Sequence, residues 1–300
     1  MPLVSIGMPI YNSEKTLRLA IDSILGQTMS DFELIISDNC STDATSSICR
    51  DYASRDSRII YTRQTSNIGG ERNFKFTLDQ GRSKYFMWAA GDDIRTNDFL
   101  EVNVNFLELN ADYIASTSPN CFEGEVLNRN SHVVFDLVGP IEDRFIYFFD
   151  NCFQSHGIFY SLFRKEALCD PLMVNECFDR SYGFAMDWQV NLLLASQGNI
   201  HRSNIGMTIL GENGISRTGN PWATYRSFWL EWIIPFYKFN PYVLKLIRNL
   251  PLIAKMKIIK RLIKFNFAVA YRPMYAILYP NFYPPYSRYI KPFIKGGHSN

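Results

Sequence analysis

After Glu231 the sequence contains no acidic residue. Residues 232–300 carry 12 Lys and Arg, so all 29 Asp and Glu and the remaining 19 of the 31 basic residues lie before them. The net charge of +2 therefore conceals an acidic body and a purely basic tail, an asymmetry that implies two separate tasks. Cysteine is sparse and poorly spaced for chemistry. The six (Cys40, Cys49, Cys121, Cys152, Cys169, Cys177) form no C-x-x-C pair and no zinc-type spacing, so they are expected as buried or free thiols of a reducing compartment. No run of about 18 apolar residues occurs, so no spanning helix is expected. Residues 1–30 lack a charged start followed by an apolar block, so no secretory leader is expected. A P-loop, a G-x-G-x-x-G fingerprint and a G-x-S-x-G elbow are all missing, which removes three routes to phosphate, dinucleotide and acyl chemistry. The four histidines are scattered and read first as structural or surface residues, with His156 and His201 the best placed for more.

What is present begins with a core: 47% of the chain is hydrophobic and 15% aromatic, enough for one large domain or a domain with an appendage. The first hundred residues alternate between two periods. Apolar, β-rich stretches at 3–11, 32–37, 58–64 and 84–90 alternate with helical spacing at 13–28, 41–53 and 70–81. Connections this short predict a parallel sheet wrapped by right-handed crossovers, with ligands beyond the carboxyl ends of the strands. Further on, 97–109 and 186–198 read as helices, 113–117 and 199–210 as strands, and 157–168 as a strand passing into a helix. The segment 119–138, with Gly124 and Asn128, reads as an irregular or hairpin region, and the loops around 119–160 are expected to shape any substrate pocket.

Three of the first four strand ends carry polar groups: Tyr11 and Asn12, Asp38 and Asn39, Asp92 and Asp93. In "YFMWAAGDDI" (85–94) a buried run ends on two adjacent carboxylates, which repel unless a cation, N–H donors or water satisfy them. Such a pair suits Mg²⁺ or Mn²⁺, which take hard oxygen ligands; it also suits the cap of a following helix. Asp187, at the start of a helix, is either an acid stabilised by the helix dipole or a general base placed across the crevice.

The segment 4–45, "VSIGMPIYNSEKTLRLAIDSILGQTMSDFELIISDNCSTDAT", resembles the opening of a family-2 glycosyltransferase, and the likeness continues through "SNIGGERNF", "YFMWAAGDDIRTNDFL", "GIFYSLFRKEAL" and "MDWQVNLLLASQG". The resemblance covers roughly residues 3–215 and implies an α/β fold of the GT-A type, a Rossmann-like, mostly parallel sheet flanked by helices. It implies an inverting transferase that uses a nucleoside-diphosphate sugar. Carried onto this sequence, Pro9, Tyr11, Asn12, Asp38, Arg72 and Asp92 would bind the nucleotide sugar, Tyr11 lying against the base. Asp93 and Asp92 would hold Mn²⁺ or Mg²⁺, Asp43 would cap a helix and order its loop, and Asp187 would be the catalytic base. Two positions depart from the family pattern. Ala90 stands where many members have another acid, and Met186 stands where many have Glu before the base.

These readings divide the chain into a transferase domain at 1–218 and a basic, aromatic-rich, mainly helical region at 219–300. In "LPLIAKMKIIKRLIKFNF" (250–267) lysines and arginine recur at helical spacing opposite apolar residues, a pattern suited to an anionic membrane surface or to packing on the catalytic domain. The expectation is a cytoplasmic protein making a peripheral contact at the inner face of the cytoplasmic membrane through residues 240–295. Its acceptor would be a glycan or lipid-linked glycan, in assembly of an O-antigen (lipopolysaccharide), capsule or exopolysaccharide, and no nucleic acid is involved. A non-catalytic nucleotide- or lipid-binding relative is the alternative; a nucleotidyltransferase would need a glycine- and lysine-rich opening loop that is absent here.

Overall fold

Strand β1 (Val4–Ile10) is almost wholly buried, which explains why its sequence is continuously apolar instead of alternating. It is sandwiched in parallel between β2 (Phe32–Asp38), with Val4 opposite Phe32 and Ile10 opposite Asp38, and β4 (Tyr85–Trp88), with Val4 opposite Tyr85. Strand β3 (Ile59–Arg63) continues the parallel order beside β2. Three crossover helices connect them: α1 (Leu17–Leu25), α2 (Thr45–Arg55) and α3 (Gly70–Gln80). The computed structural model describes residues 1–122, 136–152, 155–168, 170–179, 186–211 and 239–278, without the side chains of His156 and 268–278.

Beyond β4 the sheet changes character. Helix α4 (Phe99–Leu109) leads into β6 (Tyr113–Thr117), and β8 (Leu162–Arg164) inserts antiparallel between β4 and β6. Strand β9 (Asn199–Arg202) closes the far edge in parallel with β6, giving the order β3-β2-β1-β4-β8-β6-β9. A second, three-stranded sheet is formed by β5 (Ile94–Arg95), β10 (Thr208–Leu210) and β7 (Asn120–Phe122). The expected mostly parallel α/β architecture is therefore present.

Two expectations need correction. Residues 199–210 are not one strand: the chain leaves the large sheet after Arg202 and turns through Gly206 at φ +74° before β10 joins the small sheet. Glycine tolerates that left-handed backbone without strain. The region 119–160 is not all loop, because α5 (Ile141–Asn151) lies within it and buries Phe145, Phe148 and Phe149. Its aromatic spacing is helical, although aromatic and β-branched clusters also suit strands. Within 157–168 the order is a short helix α6 (His156–Phe159), β8, and a 3₁₀ turn at Lys165–Leu168. Residues 123–135 and the 218/219 boundary lie outside the described residues.

Helix α7 (Pro171–Cys177) precedes α8 (Met186–Gln197), and α8 is buried on nearly all sides from Trp188 to Ala195. It is enclosed because the C-terminal helices cover it. Phe239, Tyr242 and Val243 of α9 (Phe239–Leu246) and Ile258, Leu262 and Phe265 of α10 (Leu252–Leu278) share one hydrophobic core with Trp88, Phe163 and Leu192. Among the described residues no helix is long and apolar enough to cross a membrane. Truncating a fully buried aliphatic side chain in a helix that belongs to the core costs roughly 2–5 kcal/mol. Ile258→Ala is therefore expected to lower the urea midpoint and melting temperature of the whole chain. A single unchanged transition would show that α10 is not part of the cooperative unit.

Candidate active site

Because β1, β2 and β4 run in parallel, their carboxyl ends and the following loops reach one edge of the sheet. Pro9 is half-buried in β1 opposite Ser37 of β2. Tyr11, just past the strand, is 47% exposed, leaving an aromatic face open at the rim. Asn12 follows in a left-handed conformation (φ 51°), where its amide donates to Ser41 Oγ (2.9 Å) and its Oδ1 accepts from the Thr42 amide (2.9 Å). Asn is among the residues that adopt this backbone most readily. Asp43 accepts from the amides of Thr45 (3.0 Å) and Glu14 (3.2 Å), tying the start of α2 to the loop after β1.

Asp38 is fully buried, and its carboxylate is used internally. It accepts from the Ser41 amide (2.8 Å) and Tyr61 hydroxyl (3.0 Å) and lies 3.5 Å from Arg63 Nε. Its neighbour Asn39 reaches the next loop, accepting from the Ile68 amide (2.8 Å) and donating to Asn67 (3.0 Å). Arg72 stands exposed on the first turn of α3, just beyond that loop.

The acidic pair sits between the two sheets, after β4 and directly before β5. Asp92 is half-buried, whereas Asp93 is 5% exposed. Asp93 Oδ1 accepts from the Gly211 amide (3.1 Å), but its buried Oδ2 has no hydrogen-bond partner among the described residues. Burial raises the Asp93 pKa, opposed by the charge of Arg95 and by the Gly211 N–H. Arg95, 3% exposed, donates to the Trp88 carbonyl (3.2 Å) and lies over the Phe99 ring (5.2 Å), while its Nε and Nη1 also lack hydrogen-bond partners among the described residues. A buried carboxylate with an orphaned oxygen is costly for a folded chain unless something else approaches it. That oxygen has the hardness a divalent cation requires, so the pair fits such an ion. Among the described residues no three His, Cys, Asp or Glu side chains form a metal cage, so Asp92 and Asp93 would be a partial ligand set.

Asp187 occupies the first turn of α8 and accepts from the Trp188 amide (2.9 Å). Protein packed around it raises its pKa to about 6, against the opposing pull of the Trp188 and Asp187 backbone N–H groups. The helix itself is fastened along its length. Arg144 Nε donates to the Ala195 carbonyl (2.7 Å), Asn191 Nδ2 to the Ser155 carbonyl (3.1 Å), and the Tyr242 hydroxyl to the Gln189 carbonyl (3.3 Å).

Tyr160, half-buried between α6 and β8, lies within electrostatic reach of both acidic groups. Burial raises its phenol pKa, and the charges of Asp93, Asp92 and Asp187 add to the rise while Arg95 opposes it. The structure thus assembles Asp92, Asp93 and Asp187, with Tyr11, Asn12 and Pro9 on the adjoining β1 edge. Asp38 is kept inside its own loop network, and Arg72 stands outside the acidic cluster. His201 is apart on edge strand β9, stacked on Phe106 (3.7 Å between ring centroids) and 3.8 Å from Asp136. Tyr160, Arg95 and Gly211 escaped the sequence reading. The motif "GIFYSLFRKEAL" pointed to the right segment, but a lone tyrosine or glycine has no spacing signal of its own.

The family description "Glycosyl transferase family 2" matches residues 5–169. The chain belongs to glycosyl transferase family 2. It is 28% identical to the uncharacterized glycosyltransferase EpsJ of Bacillus subtilis (strain 168) over 237 residues, 74% of this chain and 64% of EpsJ. It is 35% identical to the putative teichuronic acid biosynthesis glycosyltransferase TuaG of the same organism, over 35% of this chain and 42% of TuaG. The chain thus spans less than two thirds of the length of either relative. Among solved structures, Staphylococcus aureus TarS 1–349 superposes with a TM-score of 0.63 at 17% identity, covering 91% of this chain and 74% of TarS 1–349. That likeness places the chain in the GT-A fold. The TarS fragment has also been solved with UDP-GlcNAc, in a form that superposes at 0.55 and 16% identity, over 87% of this chain and 80% of the fragment.

Gly211 is the position where this site tolerates no side chain. A Cβ there would clash with the Asp92 carbonyl oxygen and come within 2.8 Å of Asp92 Cβ. Overpacking against backbone typically costs about 1–3 kcal/mol. Gly211→Ala is expected to lose that much in urea unfolding, whereas Gly70→Ala, with nothing within 4 Å, should be neutral or mildly stabilising. Equal behaviour of the two variants would contradict the close packing of Gly211 on the acidic pair.

Proposed function

We propose that this glycosyltransferase moves a sugar from a nucleoside-diphosphate donor to an acceptor hydroxyl with inversion at the anomeric carbon. The observation that carries the reading is the convergence of Asp92, Asp93 and Asp187 around Tyr160. One carboxylate there is buried with an orphaned oxygen, and another is raised to about 6.

In this reading the exposed Tyr11 ring supports the base, and Pro9 and Asn12 form the floor at the end of β1. Asp38 contributes by holding Arg63 and the 39–41 loop, and Arg72 approaches the diphosphate from α3. A divalent cation, Mn²⁺ or Mg²⁺, when bound, would neutralise charge developing on the diphosphate. Asp93 Oδ2 and the Asp92 carboxylate would hold it. Asp187 takes the proton of the acceptor hydroxyl as its oxygen forms the new bond to the anomeric carbon. The bond from that carbon to the diphosphate breaks on the opposite face, and the electron pair leaves with the diphosphate. A carboxylate with a pKa near 6 is a stronger base than an ordinary Asp and is still mostly ionised at neutral pH. The same elevated pKa favours an enzyme over a non-catalytic binding relative, for which a half-buried carboxyl group held near 6 would have no use.

The acceptor in this proposal is a glycan or lipid-linked glycan of a surface polysaccharide, such as O-antigen, capsule or exopolysaccharide. The name of the relative TuaG supports that setting. A peripheral contact of residues 240–295 with the inner face of the cytoplasmic membrane would bring the enzyme to such an acceptor.

Calorimetric titration with UDP, GDP, dTDP and CDP, each with Mn²⁺ and again with EDTA, tests the donor reading. One nucleotide should bind in a metal-dependent manner, and Asp93→Asn should lose that binding while melting no lower than the parent, since it removes a buried charge. Absence of binding under every condition would refute the transferase site. For the base, a group that must be deprotonated to work gives a rate that is flat above its pKa and falls as pH drops below it. Turnover at saturating metal and donor should fall about tenfold per pH unit below about 6. Asp187→Asn should reduce turnover roughly 10²–10⁴-fold and abolish that limb. A wild-type profile that stays flat down to pH 5 would remove Asp187 from the role.

A further inference from the structure

The outer face of α10 combines two kinds of side chain that a solvated helix normally keeps apart. Its inner face, Ala254, Ile258, Leu262 and Phe265, is buried against the body of the protein. On the side turned away, Leu252 (72%), Ile253 (73%), Met256 (62%), Ile263 (52%) and Phe267 (58%) are exposed. Lys257, Lys260 and Lys264 are exposed beside them. At 100° per residue these eight positions span an arc of about 140°, with Leu252, Ile263, Met256 and Phe267 along one edge and the three lysines along the other.

The basic residues of this region are not all equivalent. Arg261 is turned back to pair with Asp150 of α5, and Lys245 of α9 pairs with Glu176 of α7. Lys257, Lys260 and Lys264 have no acidic partner among the described residues, and no acidic residue follows Glu231. Among the described residues, packing on the catalytic body therefore uses part of the helix and leaves Leu252, Met256 and Ile263 exposed beside the three lysines. An exposed apolar stripe marks a surface that meets something other than water. A symmetric contact between two copies would set these lysines against each other with no carboxylate between them, so a second copy is a poor occupant.

We infer that the outer face of α10 docks on an anionic lipid bilayer. The apolar edge enters the boundary between headgroups and acyl chains while the three lysines meet the anionic headgroups. The same helix packs Phe265 on Trp188 (5.5 Å between ring centroids), the residue beside Asp187. Docking is thereby tied mechanically to the helix that carries the base. This deepens the membrane-borne acceptor reading and rests on that reading for its biological purpose; the exposed face itself is independent of it.

Flotation of the full chain with vesicles tests the surface without donor or acceptor. Vesicles of phosphatidylcholine with phosphatidylglycerol should carry the protein upward, vesicles of phosphatidylcholine alone should not, and 0.5 M salt should weaken the interaction. Lys257→Glu with Lys260→Glu and Lys264→Glu should reduce binding at least tenfold. Met256→Ser with Ile263→Ser should reduce it similarly, because both edges of the face are used. All changed side chains are exposed, so melting temperatures should stay within a few degrees and nucleotide titration should be unaltered. Failure to float with anionic vesicles, or equal binding to both vesicle types, would overturn the inference. So would a concentration-dependent dimer in light scattering that Met256→Ser with Ile263→Ser abolishes. Loss of nucleotide binding with vesicle binding retained would count against the transferase reading alone.

Discussion

The parallel pairing of β1 with both β2 and β4 is the constraint on which the rest of the structure depends. It buries β1 on both faces and fixes the register of three strands at once, Val4 standing opposite Phe32 on one side and Tyr85 on the other. A slip of one residue would turn every apolar side chain to the wrong face, so the register is strongly held. With it held, Tyr11, Asn12, Asp38 and Asp92 must emerge near a common edge, whatever their loops do in detail. Right-handed crossovers through α1, α2 and α3 then place the helices so that this edge remains open.

The site built there is electrostatically expensive. Asp93 and Arg95 are both nearly inaccessible, two residues apart, and each has polar atoms without a hydrogen-bond partner among the described residues. Arg95 offsets some of the negative charge without quenching it, because it donates to the Trp88 carbonyl and lies over the Phe99 ring and, among the described residues, makes no hydrogen bond to the Asp93 carboxylate. Asp187 is held with its pKa raised on a helix fastened by Arg144, Asn191 and Tyr242. Such arrangements persist only where the surrounding packing dominates the local cost. The cluster of Trp88, Phe159, Phe163 and Phe178 supplies that packing beneath the site, with Trp88 stacked on Phe159 at 4.9 Å.

The C-terminal helices do more than extend the chain. Phe239 and Phe265 pack on Trp188, so removing α9 and α10 would expose the apolar side of α8 next to Asp187. That arrangement joins the acidic body and the basic tail, which composition alone separated, into one hydrophobic core.

By itself the sequence determined the alternation of strands and helices, the mostly parallel sheet and the polar strand ends, since these follow from local periodicity and short connections. Resemblance to the family marked Asp92, Asp93 and Asp187 because ordered motifs survive in sequence. Only the tertiary structure decided that Tyr160 and Gly211 belong beside those acids, because they come from distant segments, and that Arg95 turns inward to be buried with Asp93. It also split 199–210 between two sheets, a matter of a turn at Gly206 that periodicity does not register. Finally, it decided which lysines of the tail face outward. Helical spacing places residues on faces, but ion pairs such as Arg261 with Asp150 depend on what packs against the helix, and that is a property of the folded chain.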